Sequence, residues 1–235
     1  KKLHFSIDSQ APDLLARYTE LIEKFPGMTT RTETMKSGAY GVYAQKISGR
    51  FKDEFNGQSN PLFEVVKKYG LWNKKAFDKS IPESFFSLPE EQIKILLSAL
   101  WDTDGSIYFK KHSSGKNPPF LEYCSVSEEL VRDIQRLLLR IGVVGRVTSK
   151  KTSYTYKGEK REGKTAWRVT VGSAEYVHRL LSALSLHGHR EERRIKGLLH
   201  ERTAVQRQDS EDIYWDSVKS VESIGAGDYF DMYVP

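Results

Sequence analysis

The stretch 87–108, SLPEEQIKILLSALWDTDGSIY, constrains this chain more than any other, because it describes a helix that ends in carboxylates. Ile93, Leu96, Leu97, Leu100 and Trp101 recur at i, i+3, i+4, i+7 and i+8, which places them on one helical face. Ser87 with Glu90 three residues later predicts a capping box at the start. The other end is chemically odd. Asp102 and Asp104 fall where carboxylates oppose the negative pole of the helix dipole, at roughly 0.3–1 kcal/mol each. Stability alone does not select them there. Gly105 supplies a stop of the kind that favours positive φ, and residues 106–110 alternate like a strand. A divalent cation would offset the repulsion, since Mg²⁺ accepts one or two protein carboxylates and completes its shell with phosphate oxygens and water. An ordinary core helix followed by a tight Asp-Gly turn would give the same pattern.

The charge distribution points to an anionic partner. The net charge is +6 over 235 residues, the pI is about 9.2, and the excess is uneven. Between positions 146 and 168 there are eight Lys or Arg against Glu159 and Glu162, with Tyr154, Tyr156 and Trp167 interleaved. Alternation across 146–156 and 165–171 predicts two antiparallel strands joined by a Lys/Gly-rich turn around Gly158 and Gly163. A basic β-ribbon can enter a major groove, with arginines reading guanine edges and lysines holding phosphates. The candidate DNA contacts are Arg146, Lys150, Lys151, Tyr154, Lys157, Lys160, Arg161 and Arg168. A solvated charged hairpin would look alike. With 38% hydrophobic residues the chain can still build a core, in one large or two small domains.

One cysteine, Cys124, excludes an intramolecular disulfide framework and a multi-cysteine zinc site. Its place in the alternating PFLEYCSVS predicts a half-buried structural thiol. His187, His189 and His200 lie in or near a basic helical stretch without ligand spacing and read as surface or packing residues. There is no secretory signal and no run of about 20 apolar residues, so a cytoplasmic protein with no membrane partner is expected, nucleoid-associated when bound to DNA.

Internal similarity predicts two half-domains. The stretch LHFSIDS at 3–9, a helical pattern at 14–25 and Gly27 parallel LEYCSVS at 121–127, a helical pattern at 130–141 and Gly142. Each is a strand, a Ser-containing cap, an amphipathic helix, a glycine stop and a further hairpin. The second half is expected to comprise a helix at 88–103, strands near 106–111 and 119–126, a helix at 128–141, the basic hairpin, and helices from Ser173 onward.

Residues 97–105, LSALWDTDG, resemble the LAGLIDADG (DOD-type) motif of homing endonucleases, in its second copy. The resemblance extends to the preceding block, where Asn60-Pro61-Leu62-Phe63 through Gly70-Leu71 and then Lys79-Ser80-Ile81-Pro82 look like the segment before the second motif of intein endonucleases. It implies an α+β fold of αββαββα half-domains forming a β-saddle, with the first motif helix and first strand absent ahead of residue 1. It also implies that small motif residues pack two such helices together, and that Asp104 holds the Mg²⁺ that activates water against DNA, with Asp102 at the helix end or sharing the metal's outer shell. Lys79 and Lys164 would stabilise the scissile phosphate or order water. A second LAGLIDADG helix, in place of the absent first-motif one, would come in cis or in trans, an exposed Ile93, Leu97 and Leu100 face driving the pairing.

The tail, 214–221 and 228–235, resembles the two strands that open the C-terminal splicing (Hint) block of inteins. The resemblance therefore implies an incomplete first endonuclease half-domain at 1–86, a second at 87–205, and the start of a small β splicing segment at 206–235. The family's splicing residues find no counterpart between Lys1-Lys2 and Val234-Pro235, so the chain as written is not expected to splice. The expected function is an intein-encoded, Mg²⁺-dependent, site-specific DNA endonuclease segment. Its partners would be double-stranded DNA, cut at an intein-less allele, and the flanking exteins of a host protein, in line with inteins of replication proteins. The alternative is a catalytically inactive LAGLIDADG-type DNA-binding module or a structural remnant.

Overall fold

The computed structural model describes residues 3–47, 60–111, 117–200, 218–223, 225 and 227. The chain separates into unit 1–203 and unit 204–235. In the second, the described residues belong to no helix or strand, and most of the expected strand pair at 214–221 and 228–235 lies outside the described residues.

Unit 1 is α+β, with six α-helices and three antiparallel sheets among the described residues. It opens with β1 (Leu3–Ile7), α1 (Pro12–Glu23), β2 (Met28–Thr34) and β3 (Tyr40–Lys46), which form a sheet of order β1-β3-β2. Then come α2 (Pro61–Lys68), a 3-10 turn (Glu83–Ser87), α3 (Glu90–Thr103), β4 (Gly105–Phe109), β5 (Pro119–Ser125) and α4 (Glu128–Arg140). The rest is β6 (Arg146–Lys150), β7 (Ser153–Tyr156), β8 (Glu159–Glu162), β9 (Ala166–Val171), α5 (Ala174–Ala183) and α6 (Gly188–Leu198). The second large sheet has the order β4-β5-β9-β6, and β7-β8 stand apart as a two-stranded ribbon.

The internal repeat is visible in the pairing. β1, α1, β2 and β3 are ordered like β5, α4, β6 and β9, each set with its central strand drawn from the end of the unit. Gly27 (φ 72°) and Gly142 (φ 68°) turn the chain out of α1 and α4 at matching places, a backbone region costly to residues with a Cβ. Two separate cores follow. One packs Ile7, Leu14, Ile22, Met28 and Val42 under the first sheet; the larger packs α3, α4 and α5 on β5 and β9 through Ile93, Leu97, Trp101, Leu121, Ile134 and Val169. Each such fully buried side chain contributes about 1.5–3 kcal/mol.

Three local expectations are corrected. α3 starts at Glu90 behind Pro89 with no side-chain cap, because Ser87 belongs to the 3-10 turn, and Lys94 holds Glu90 and Glu91 instead. Ile93 and Leu97 are fully buried in the core, so they form no exposed pairing face; the open side of α3 carries Ile95, 67% exposed, and Ala99. Cys124 is exposed on the outer side of β5, since the inward positions of that strand are Leu121 and Tyr123. Among the described residues, no helix is long and apolar enough to cross a membrane.

Candidate active site and nucleic-acid interface

The last turn of α3 divides its two carboxylates. Asp102 points inward, 5% exposed beside Trp101, and accepts from the His187 backbone N–H at 2.9 Å while its other oxygen meets His187 Nδ1 at 2.7 Å. Ser98, one turn earlier, is also turned inward and accepts the Ser185 N–H at 3.0 Å. Asp104 is exposed at the C-cap, and the buried Tyr123 hydroxyl donates to its Oδ2 at 3.5 Å. Burial, then the Asp104 charge, pushes the Tyr123 hydroxyl far above its ordinary range, so it remains a donor to that carboxylate. Tyr18 on α1 is raised by burial and by the charges of Asp102 and Asp104.

Gly105 does not have the positive φ expected of it. It begins β4, and a Cβ there would lie 2.5 Å from Trp101 Cα and Cγ, so the missing side chain lets the strand start directly against the helix. The dipole penalty of two terminal carboxylates is met from α6: Arg190 donates to the carbonyls of Thr103 at 2.9 Å and Gly105 at 3.4 Å. Sequence reasoning placed His187 only among surface or packing residues and did not single out Arg190. Neither has a local signal, because each acts on a helix about 85 residues earlier in the chain.

The outer face of the second sheet carries three of the predicted DNA contacts. Register aligns Ser106, Glu122, Thr170 and Arg146 in one row and Cys124, Arg168 and Thr148 in the next, with Lys150 opposite Ala166 beyond them. Arg168 is held by Thr148 Oγ1 at 3.0 Å and by Glu122 at 3.4 Å. The predicted single hairpin is broken. β6 and β9 belong to the sheet, whereas β7 and β8 continue as a ribbon in which Tyr154 faces Arg161 and Thr155 faces Lys160. Its turn is Lys157 (φ 51°) and Gly158 (φ 84°), the geometry of a two-residue hairpin loop. Gly163 makes no part of that turn: its N–H donates to the Thr152 carbonyl at 2.8 Å where the ribbon leaves the sheet, and Lys151 lies at that same exit.

Lys79 and Lys164 are both exposed, and Lys164 packs against the segment that carries Lys79. The Lys164 ammonium lies 3.4 Å from the centroid of Phe77, two residues before Lys79, while the Lys79 carbonyl accepts the Ser127 hydroxyl at 2.6 Å. Among the described residues neither forms an ion pair with Asp104. The outer face of the first sheet adds a group the sequence did not mark. His4 stacks on Tyr43 at 4.6 Å, Arg31 lies 5.4 Å from the same ring, and Glu33 bridges Arg31 and Tyr43.

No cluster of three or more His, Cys, Asp or Glu side chains suited to a metal occurs among the described residues. The donor set at the end of α3 is therefore one exposed carboxylate, Asp104. It fits a hard cation that takes one protein carboxylate and fills its shell with phosphate oxygens and water. The Asp102 oxygens are already occupied by His187. Beside this site, a groove of about 370 Å³ runs between α1 and α3, lined by Leu14, Tyr18, Leu21, Ile95 and Ala99.

Replicative DNA helicase DnaB of Rhodothermus marinus is 31% identical over 136 residues, 57% of this chain and 13% of that protein. DnaB of Nostoc sp. is 38% identical over 85 residues, 36% of this chain and 9% of that protein. The replication factor C small subunit of Thermococcus kodakarensis is 28% identical over 181 residues, 77% of this chain and 17% of that protein. The chain thus matches less than a fifth of each relative's length. The family model of the LAGLIDADG-like domain matches residues 91–184, from α3 through α5. Sequence match and fold agree, and residues 91–184 carry a LAGLIDADG-like domain.

Proposed function

We propose that the chain is the endonuclease portion of an intein, and that it hydrolyses DNA phosphodiester bonds with Mg²⁺ at Asp104. The observation that carries this reading is the placement of Asp104: an exposed carboxylate at the point where α3 runs directly into the outermost strand of a sheet whose open face bears Arg146, Lys150 and Arg168. The matched proteins support an inserted module. A helicase and a replication factor subunit differ in name, yet each shares with this chain only 9–17% of its own length.

In this account Asp104 is the metal-holding carboxylate, oriented by the Tyr123 hydroxyl. When bound, Mg²⁺ would supply Lewis-acid activation of water and neutralise developing phosphate charge. Asp102 is a positioning residue that ties the helix end to α6 through His187. Lys79 and Lys164 face the phosphate backbone, Arg146, Arg168 and Lys150 meet the duplex from the sheet, and the ribbon extends that surface. The groove lined by Ile95 and Ala99 is where the partner first-motif helix would pack, in cis or in trans.

The test incubates the full polypeptide in which this chain is encoded with duplex DNA carrying the host reading frame without the insert, with Mg²⁺ and with EDTA. Metal-dependent double-strand cutting that drops by at least about 10²-fold in Asp104→Asn supports the endonuclease. Binding without cutting in both conditions assigns a DNA-binding module, and no binding assigns a structural remnant of the intein.

A further inference from the structure

We infer that the segment 72–79 and the base of the ribbon form a single cationic patch that holds DNA backbone phosphates, so the segment ahead of α3 is a second clamp on the duplex. This rests on reading the open sheet face as a DNA surface, with Lys79 and Lys164 on the phosphates, and it goes further by adding Lys74, Lys75 and Phe77 as a phosphate-holding group ahead of α3.

Lys74, Lys75 and Lys79 are all exposed, Asp78 is the one acidic residue among positions 71–80, and none of the three lysines forms an ion pair with a described residue. The segment is held in place at both ends. Trp72 meets Phe63 edge-to-face at 4.2 Å, and at the other end Lys79 O accepts from Ser127 Oγ while, just beyond, the Ile81 N–H donates to Asp133 at 2.9 Å. Between them, Asn73 turns with φ 63°, and the Asp78 N–H donates to the Lys75 carbonyl at 3.0 Å.

Phe77 joins this segment to the ribbon. It is 43% exposed, and the Lys164 ammonium lies 3.4 Å above its ring with Lys75 Nζ at 5.8 Å. The Lys164 carbonyl in turn accepts from Thr152 Oγ1 at 2.7 Å, next to Lys151. Phe77 thus draws two ammonium groups to one ring, Lys164 closely and Lys75 more loosely.

Four cations on the helices contrast with this patch. Lys94, Arg132, Arg179 and Arg194 are each neutralised by a glutamate on their own helix. The lysines around Phe77 have no such partner among the described residues, and a regularly charged polyanion relieves their mutual repulsion.

The experiment is equilibrium binding of the full chain to a short mixed-sequence duplex across a salt series, because phosphate contacts are independent of sequence. Each contact contributes about 0.9 to the slope of log K against log salt. Lys74→Ala/Lys75→Ala is expected to weaken binding and reduce the slope by about 1–2, Lys74→Arg/Lys75→Arg to keep it. Phe77→Leu should weaken binding as Lys164→Ala does, with no added loss in combination. Thermal melting of each variant checks the fold. Wild-type binding with an unchanged slope in Lys74→Ala/Lys75→Ala overturns the patch and leaves the sheet surface standing. No salt-dependent binding by the wild type overturns both.

Discussion

A methyl group at position 105 would sit 2.5 Å from Trp101 Cα, an atom fixed inside a helix, so nothing nearby can yield cheaply. Gly105→Ala is therefore expected to destabilise the chain by about 2–3 kcal/mol in denaturant unfolding, towards the upper end for overpacking. Glu191 sets a pH dependence. Arg194 donates to both its oxygens at 2.6 Å and, with the Leu186 N–H, holds its carboxyl below the usual range. A lowered folded-state pKa means the unfolded chain binds the proton more readily. The contribution is present above the unfolded value of about 4.3 and is lost as pH falls through the folded one. Glu191→Gln should cost about 1–2 kcal/mol at neutral pH, and the gap to wild type should close in acid when melting is followed against pH. At this scale the motif resemblance already gave Asp102 and Asp104 different roles, and the structure adds how Asp102 is held at the helix end, turned inward onto His187. Asp102 follows Trp101 and lies one turn after Ser98, both buried, which is a helical-wheel signal for its inward side; its partner His187 has none.

The ribbon shows how an element can be legible in outline and wrong in detail. Alternation and the basic run located the strands around Gly158, but period-two patterning carries no mark of the break at Thr152 and Gly163, where a Cβ on Gly163 would lie 2.3 Å from Thr152 Oγ1. All residues of β7 and β8 are exposed, so the ribbon lends nothing to either core. Replacing 153–162 by Asn-Gly, which closes a two-residue hairpin loop, should leave the unfolding free energy within about 0.5 kcal/mol of wild type. The same truncation should weaken duplex binding and lower its salt slope, since Lys157, Lys160 and Arg161 leave with it. The helices were the most readable elements, because α4 has a complete cap at Ser127, whose hydroxyl accepts the Leu130 N–H at 3.1 Å, and a strongly one-sided apolar face. α3 misled at its start, where Pro89 replaced the expected Ser87 cap.

Across unit 1 the repeat was readable because each copy carries its own strand, helix and glycine stop, whereas the sheet orders β1-β3-β2 and β5-β9-β6 follow from long-range pairing that no local pattern encodes. The same pairing puts Arg146, Arg168 and Cys124 on one polar face although they are spread over three strands. That face is the central claim, and the chain holds a built-in reporter for it: Cys124 is its one cysteine, exposed between Arg168 and Glu122. Burial and the nearby Glu122 raise its thiol pKa, so alkylation is best followed at mildly alkaline pH. The decisive measurement is the rate of Cys124 alkylation by iodoacetamide with and without saturating duplex DNA, at low and high salt. The account predicts at least several-fold protection at low salt that disappears as salt releases the duplex. An unchanged rate at DNA concentrations that bind the protein would place the duplex elsewhere and contradict it.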